Sequence, residues 1–215
     1  MKTIVQRMGL LTAVAGLLLC CGACTSSNDE TATSASEEAL EKAKLENIFT
    51  RASVREYQKK AVEQEKIETL VRAGMAAPTA MDLRPWHFVV VTDTTVLAKL
   101  AAKAPNARML TSAPLAIVAC GNANKAIDGK PFWVQDVSAA SENILLAANA
   151  LGLGAVWTGA YPDSARCAGI SEVLSLPDSI VPLNTIVIGY PLTEPQPKDK
   201  WNPANVSYNT YGGSL

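Results

Sequence analysis

The stretch from about Phe132 to Leu151 constrains the fold more than any other part of the chain. Val137, Ala140, Ile144, Ala148 and Leu151 recur at helical spacing, and Leu145, Ala147 and Ala150 widen the stripe around the helix. A helix apolar over so much of its circumference must be buried on several sides. Its small residues, Ala139, Ala140, Ala147, Ala148 and Ala150, allow another backbone to approach closely, either in the domain centre or across an interface between two copies. Gly152 and Gly154 then stop the helix and turn the chain into a strand. They are not a dinucleotide fingerprint, because Trp157 stands where a third glycine is needed and the order is helix, glycines, strand.

The rest of the chain alternates in the same way. Ile67, Leu70, Val71, Gly74 and Met75 follow helical spacing up to Pro78, and His87 to Thr92 reads as a buried strand. Asp93 caps a helix over Thr94 to Ala104, and Pro114 opens a strand from Leu115 to Cys120. Ala155 to Trp157 reads as a strand, Ser164 to Leu174 as a helix and Asn184 to Tyr190 as a strand. The tail after Pro191 is polar and broken by prolines, so it is expected to wrap over a surface. With 215 residues and 48% apolar content, one α/β domain with some appended sequence accounts for the chain.

The appended sequence is N-terminal. Lys2 and Arg7 precede an apolar run from Met8 to Leu19 and then small residues, the layout of a secretory signal, and the run is too short for an ordinary membrane-spanning helix. Gly22-Ala23 before Cys24 resembles a bacterial lipoprotein processing site, although Cys21 stands where Leu or Val is commoner. That resemblance implies a signal peptide over 1–23, a lipidated Cys24, and export to a membrane face toward the periplasm or cell exterior. An ordinary signal peptide or an uncleaved anchor is the alternative. Residues 24–46 then form a tether, with Thr25 to Lys44 too poor in large apolar groups to offset ordering and Glu37 to Glu46 able to form a polar helix. The domain occupies 47–215.

Composition excludes several function classes. Lys and Arg total 19 against 20 Asp and Glu, so no broad basic face is available and nucleic acid is not an expected partner. The single histidine, His87, adjoins a strand, which argues against a histidine-rich metal site and against a Ser/His/Asp triad; no metal is expected. Cys120 and Cys167 fall in different elements; Cys120 reads as a buried free thiol, with a disulfide left open in an exported protein.

The chemistry lies in two short stretches. Arg51-Ala-Ser53-Val-Arg55 puts two guanidinium groups and a hydroxyl at every second position, so an extended backbone points all three the same way toward a phosphate or planar anion. The start of a solvated helix is the competing reading. Ala77-Pro-Thr-Ala-Met-Asp-Leu-Arg-Pro-Trp86 is an irregular loop rich in main-chain donors.

Together with Gly-Leu-Gly-Ala-Val-Trp-Thr-Gly159, Ile-Gly-Tyr-Pro191 and Pro-Lys-Asp-Lys200, in this order, these stretches resemble the FMN-dependent nitroreductase family over nearly all of 47–201. The resemblance implies an α+β fold: a central, mostly antiparallel sheet between helices, three layers α/β/α, in an entwined homodimer. It implies that Arg51 and Ser53 hold the FMN phosphate and ribityl end, that Lys198 and Lys200 close on the phosphate, and that Arg55 lies near the pyrimidine edge of the ring. Thr158 and Gly159 match the segment beside flavin N5, and Pro78, Thr79 and Ala80 the loop that packs on the flavin from the other subunit. Asp82 and Arg84 stand where many relatives have Asn and Gln, so Asp82 either accepts from the flavin N3 hydrogen or pairs with Arg84.

The activity implied is a two-step cycle. NAD(P)H or another reductant reduces FMN and leaves, and an electron-poor acceptor, a nitroaromatic, a quinone or a similar small molecule, takes its place; no catalytic side chain is required. Export makes the donor the open point, since nicotinamide cofactors are largely cytoplasmic. The rival readings are a module that binds FMN or another flat ligand without turnover, and a structural or interaction protein of the same fold.

Overall fold

The computed structural model describes residues 27–214, so the signal-peptide and Cys24 assignments lie outside the described residues. In chain order the elements are α1 (Ser27–Thr50), α2 (Gln64–Met75), β1 (Trp86–Val91), α3 (Thr94–Lys103), β2 (Leu115–Asn122), α4 (Trp133–Ala150), β3 (Gly154–Gly159), α5 (Ser164–Leu174) and β4 (Ile180–Gly189). The chain divides into two units after Glu41, and the second, Lys42–Leu215, contains the sheet.

The helix expected over Glu37 to Glu46 is longer at both ends. No glycine or proline interrupts residues 25–50, and Ala, Glu and Lys favour the helix, so this polar stretch is helical from Ser27 rather than structureless. Among the described residues no helix is long and apolar enough to cross a membrane.

The strands form one sheet in the order β1-β2-β4-β3, with every pairing between them antiparallel. The alternation read as an α/β domain is therefore α+β. A helix between two strands can return the chain to either end of a sheet, and periodicity does not record which.

Alternate residues of β2 face opposite layers. Ala116, Val118 and Cys120 pack with Leu97 and Leu100 of α3 and Ile170 of α5. Leu115 and Ile117 pack with Ile67 and Leu70 of α2 and Ile144 and Leu145 of α4. Helices thus cover both faces, giving three layers. α4 contacts all four strands and α2, which is the burial its apolar circumference demands, although Ala150 at its end is exposed.

Caps and stops follow the local chemistry. Asp93 accepts from the backbone N–H groups of Thr95 (2.7 Å) and Val96 (3.1 Å), and Asp163 from Arg166 (2.9 Å). At the end of α4, Gly152 adopts φ 70°, its N–H donates to Asn149 O (3.1 Å), and Leu153 N–H donates to Ala148 O (2.8 Å), the Schellman pattern.

β1 departs from its reading as a buried strand. It is an edge strand in which Val91 alone is buried, with His87 exposed; an apolar run does not reveal whether a second neighbour covers it. Cys120 and Cys167 are both free thiols.

Candidate functional site

Residues 51–55 lie in neither a helix nor a strand of the sheet and run alongside β3. Ser53 forms a parallel bridge with Ala155 of β3, and Val54 N–H donates to Ala155 O (3.0 Å). Val54 can turn inward only because Gly154 lies beneath it. A Cβ at Gly154 would come within 2.7 Å of the Val54 side chain. Tyr57 closes the segment from below, its hydroxyl 2.6 Å from Val54 O and 3.0 Å from Val187 O; burial pushes that hydroxyl's pKa well above its ordinary value.

The tail returns along the same segment. Leu192 N–H donates to Glu56 O (3.0 Å), Gln58 N–H to Tyr190 O (2.9 Å), and the Gln58 amide to Pro191 O (2.8 Å). This pairing carries Lys198 and Lys200 to a cavity of about 540 Å³ that Arg51, Ser53 and Arg55 also line. Four cations there face two lining carboxylates, Glu56 and Glu194. The net positive lining is suited to an anion with hydroxyl or phosphoryl oxygens. Arg51, the least exposed cation, also pairs with Glu142 of α4 at 3.4 Å.

The Ala77–Trp86 loop is built separately. It contains a 3-10 turn, Ala80–Asp82, and three non-glycine residues in the left-handed region, Met81 (φ 52°), Asp82 (φ 53°) and Arg84 (φ 46°). Ala80 N–H donates to Asp136 Oδ1 (2.9 Å), Arg84 N–H to Thr79 Oγ1 (3.2 Å), and Lys125 Nζ to the carbonyls of Leu83 (2.9 Å) and Arg84 (3.2 Å). Arg84 donates twice to the Asp82 carboxylate, at 2.7 and 2.5 Å, and those hydrogen bonds hold the Asp82 carboxyl below its usual range. Of the two readings of Asp82, pairing with Arg84 is the one realised here.

On β3, the Thr158 hydroxyl is buried and donates to Thr185 O (2.7 Å). Gly159 O accepts from Arg166 Nη1 (2.9 Å) and Asn106 Nδ2 (3.1 Å), while open space lies where a Gly159 side chain would be.

The structure thus brings together Arg51, Ser53, Arg55, Lys198 and Lys200. Pro78, Thr79, Ala80, Asp82, Thr158 and Gly159 do not line that cavity. Sequence reasoning missed Asp136, Glu142, Asn106 and Arg166. Asp136 and Glu142 left a signal, as carboxylates within a helix read as apolar over much of its circumference.

Residues 48–107 and 100–190 match the model of the nitroreductase family. A protein of Methanothermobacter thermautotrophicus, named provisionally as an NADH dehydrogenase/NAD(P)H nitroreductase, is 45% identical over 163 residues, which is 75% of this chain and 84% of that one. A crystal structure from Bacteroides thetaiotaomicron with the same provisional name is 49% identical, covers 79% of this chain and 98% of its own, and superposes with a TM-score of 0.76. An FMN-dependent nitroreductase from Clostridium difficile is 29% identical, covers 76% of this chain and 98% of its own, and gives a TM-score of 0.72. With the family model matched across the sheet and its covering helices, this chain belongs to the nitroreductase family of oxidoreductases.

Proposed function

We propose that this chain binds FMN and uses it to pass electrons from a reductant to electron-poor acceptors such as nitroaromatics or quinones. The observation that carries the reading is the convergence of Arg51, Ser53, Arg55, Lys198 and Lys200 on one cavity. These residues fit a phosphate-bearing cofactor. Arg51 and Arg55 present forked donors, Ser53 adds a hydroxyl, and the two lysines bring point charges on the tail. When bound, FMN supplies the hydride and electron chemistry in two half-reactions, the first with NAD(P)H or another reductant and the second with the acceptor.

The chain's own part is to bind, orient and polarise. Arg51, Ser53, Lys198 and Lys200 hold the phosphate end. Arg55 places a fixed positive charge toward the ring, where negative charge accumulates on reduction. The Gly159 segment, held by Arg166 and Asn106, leaves room beside it for an approaching hydride donor. Pro78, Thr79, Ala80 and Asp82 lie away from their own chain's cavity, which supports a homodimer in which this loop covers the partner's flavin. Cys24, with its short apolar leader, supports lipid anchoring outside the cytoplasm, where the electron donor need not be a nicotinamide.

The test is the absorption spectrum of the purified chain with and without added FMN, followed by titration with NADH, NADPH and dithionite. A flavin spectrum bleached by a reductant and restored by a quinone is expected. A colourless protein that ignores FMN, or bound flavin that no reductant bleaches, overturns the reading. Arg51→Ala with Lys200→Ala weakens FMN far more than riboflavin if the phosphate assignment holds; equal loss refutes it.

A further inference from the structure

Asp136 lies in the first turn of α4, with only 7% of its surface exposed. Its Oδ1 accepts the Ala80 N–H at 2.9 Å, across 56 residues of sequence. A buried carboxylate is costly unless a donor compensates it, and here the donor is a main-chain amide in the most contorted loop of the molecule. Met81, Asp82 and Arg84 each hold a left-handed backbone without being glycine, a conformation that relaxes unless its surroundings fix it.

The other fixings are weaker anchors. The Thr79 hydroxyl belongs to the loop itself, and Lys125 reaches Leu83 O and Arg84 O from an exposed loop. The two ends of the loop are tied to α2 by Ala77 N–H to Gly74 O (3.2 Å) and to β2 by Asn122 N–H to Pro85 O (2.8 Å), and Asp136 ties its middle to α4, which packs on all four strands.

We infer that Asp136 is a positioning residue. Its carboxylate sets the height and orientation of Pro78-Thr79-Ala80 through the Ala80 amide, and so fixes the surface this loop presents to the flavin ring. The inference rests on the proposed function for the flavin, but the Asp136–Ala80 contact exists without it. Asp136 is buried and acts through Ala80. Asparagine keeps an Oδ1 acceptor at the same place and alanine removes it, so the two substitutions separate the hydrogen bond from the rest of the side chain.

The experiment uses the full chain as wild type, Asp136→Asn and Asp136→Ala. Amide hydrogen exchange at Ala80 is followed without flavin, and the affinities for FMN and riboflavin are measured separately. In Asp136→Ala the Ala80 amide exchanges about ten-fold faster or more. FMN and riboflavin both bind about ten-fold more weakly and by the same factor, because the loop addresses the ring and not the phosphate. Asp136→Asn restores all three quantities to within about three-fold of wild type.

Unchanged exchange at Ala80 in Asp136→Ala overturns the role of Asp136, whatever the flavin does. A folded Asp136→Asn whose Ala80 exchange or flavin affinities depart about ten-fold or more from wild type overturns it as well, and that comparison stands even where the alanine variant fails to fold. A wild-type chain that binds no flavin, with Ala80 exchange still governed by Asp136, instead overturns the proposed function.

Discussion

Arg51 Nε stands 3.4 Å from Glu142 Oε1, which ties the least exposed cation of the cavity to the middle of α4. The ion pair holds Arg51 in place, but it also sets a carboxylate close to where a phosphate would sit. Glu142→Gln keeps an acceptor for Arg51 and removes the charge. At a separation of about 7 Å with water-like screening, the repulsion removed is about 0.6 kcal/mol, or about three-fold in affinity. FMN should therefore bind about three-fold more tightly to Glu142→Gln at low salt, with riboflavin unchanged. Equal effects on both ligands in a fluorescence titration would show that Glu142 acts on position rather than charge.

The contact of Val54 with Gly154 predicts a steric effect. A methyl group at Gly154 meets Val54 carbons at 2.7 Å, on the segment that carries Arg51, Ser53 and Arg55. Gly154→Ala should cost about 1–3 kcal/mol by overpacking. Combined with Val54→Gly, which removes Cβ along with both methyls, the loss should fall short of the sum of the single variants by about 1 kcal/mol or more. Strict additivity in urea unfolding would refute the close approach.

Much of this was legible in the sequence, for identifiable reasons. The helix read over Thr94 to Ala104 from its Asp93 cap is found at Thr94–Lys103, because an aspartate cap is a local signal. The convergence of Arg51, Ser53 and Arg55 follows from the two-residue period of an extended chain. Antiparallel pairing was carried only by the family resemblance, because strand direction depends on where a connection lands. The edge position of β1 and the contacts of Asp136 with Ala80, Glu142 with Arg51 and Asn106 with Gly159 join elements far apart in the chain, and no local pattern pairs them.

Thr158 illustrates a site residue whose side chain is already committed. Its hydroxyl is buried and donates to Thr185 O at 2.7 Å, within the sheet. Thr158→Val should therefore cost about 1 kcal/mol of stability. Flavin affinity should stay within about two-fold, since the backbone rather than the hydroxyl would face the ring. A larger loss of flavin binding at unchanged stability would show that the hydroxyl leaves Thr185 when the ligand enters.

Cys120 makes stability depend on alkaline pH. Burial between β2, α3 and α5 pushes its thiol from 9.0 up to about 12, so the folded state keeps the proton that the unfolded chain gives up. A raised folded pKa means the contribution is complete below 9.0 and is lost as pH climbs toward about 12. The slope approaches about 1.4 kcal/mol per pH unit as an upper bound. Tyr57 adds its own loss only at higher pH, because its unfolded value is 10.0. Cys120→Ala removes the ionisable group and keeps a small apolar side chain. Between about pH 8.5 and about pH 10.5, wild type should lose about 1–2 kcal/mol more than this variant. Parallel unfolding free energies across that window would mean that the thiol ionises in the folded protein, and that its burial in the core is weaker than its surroundings indicate.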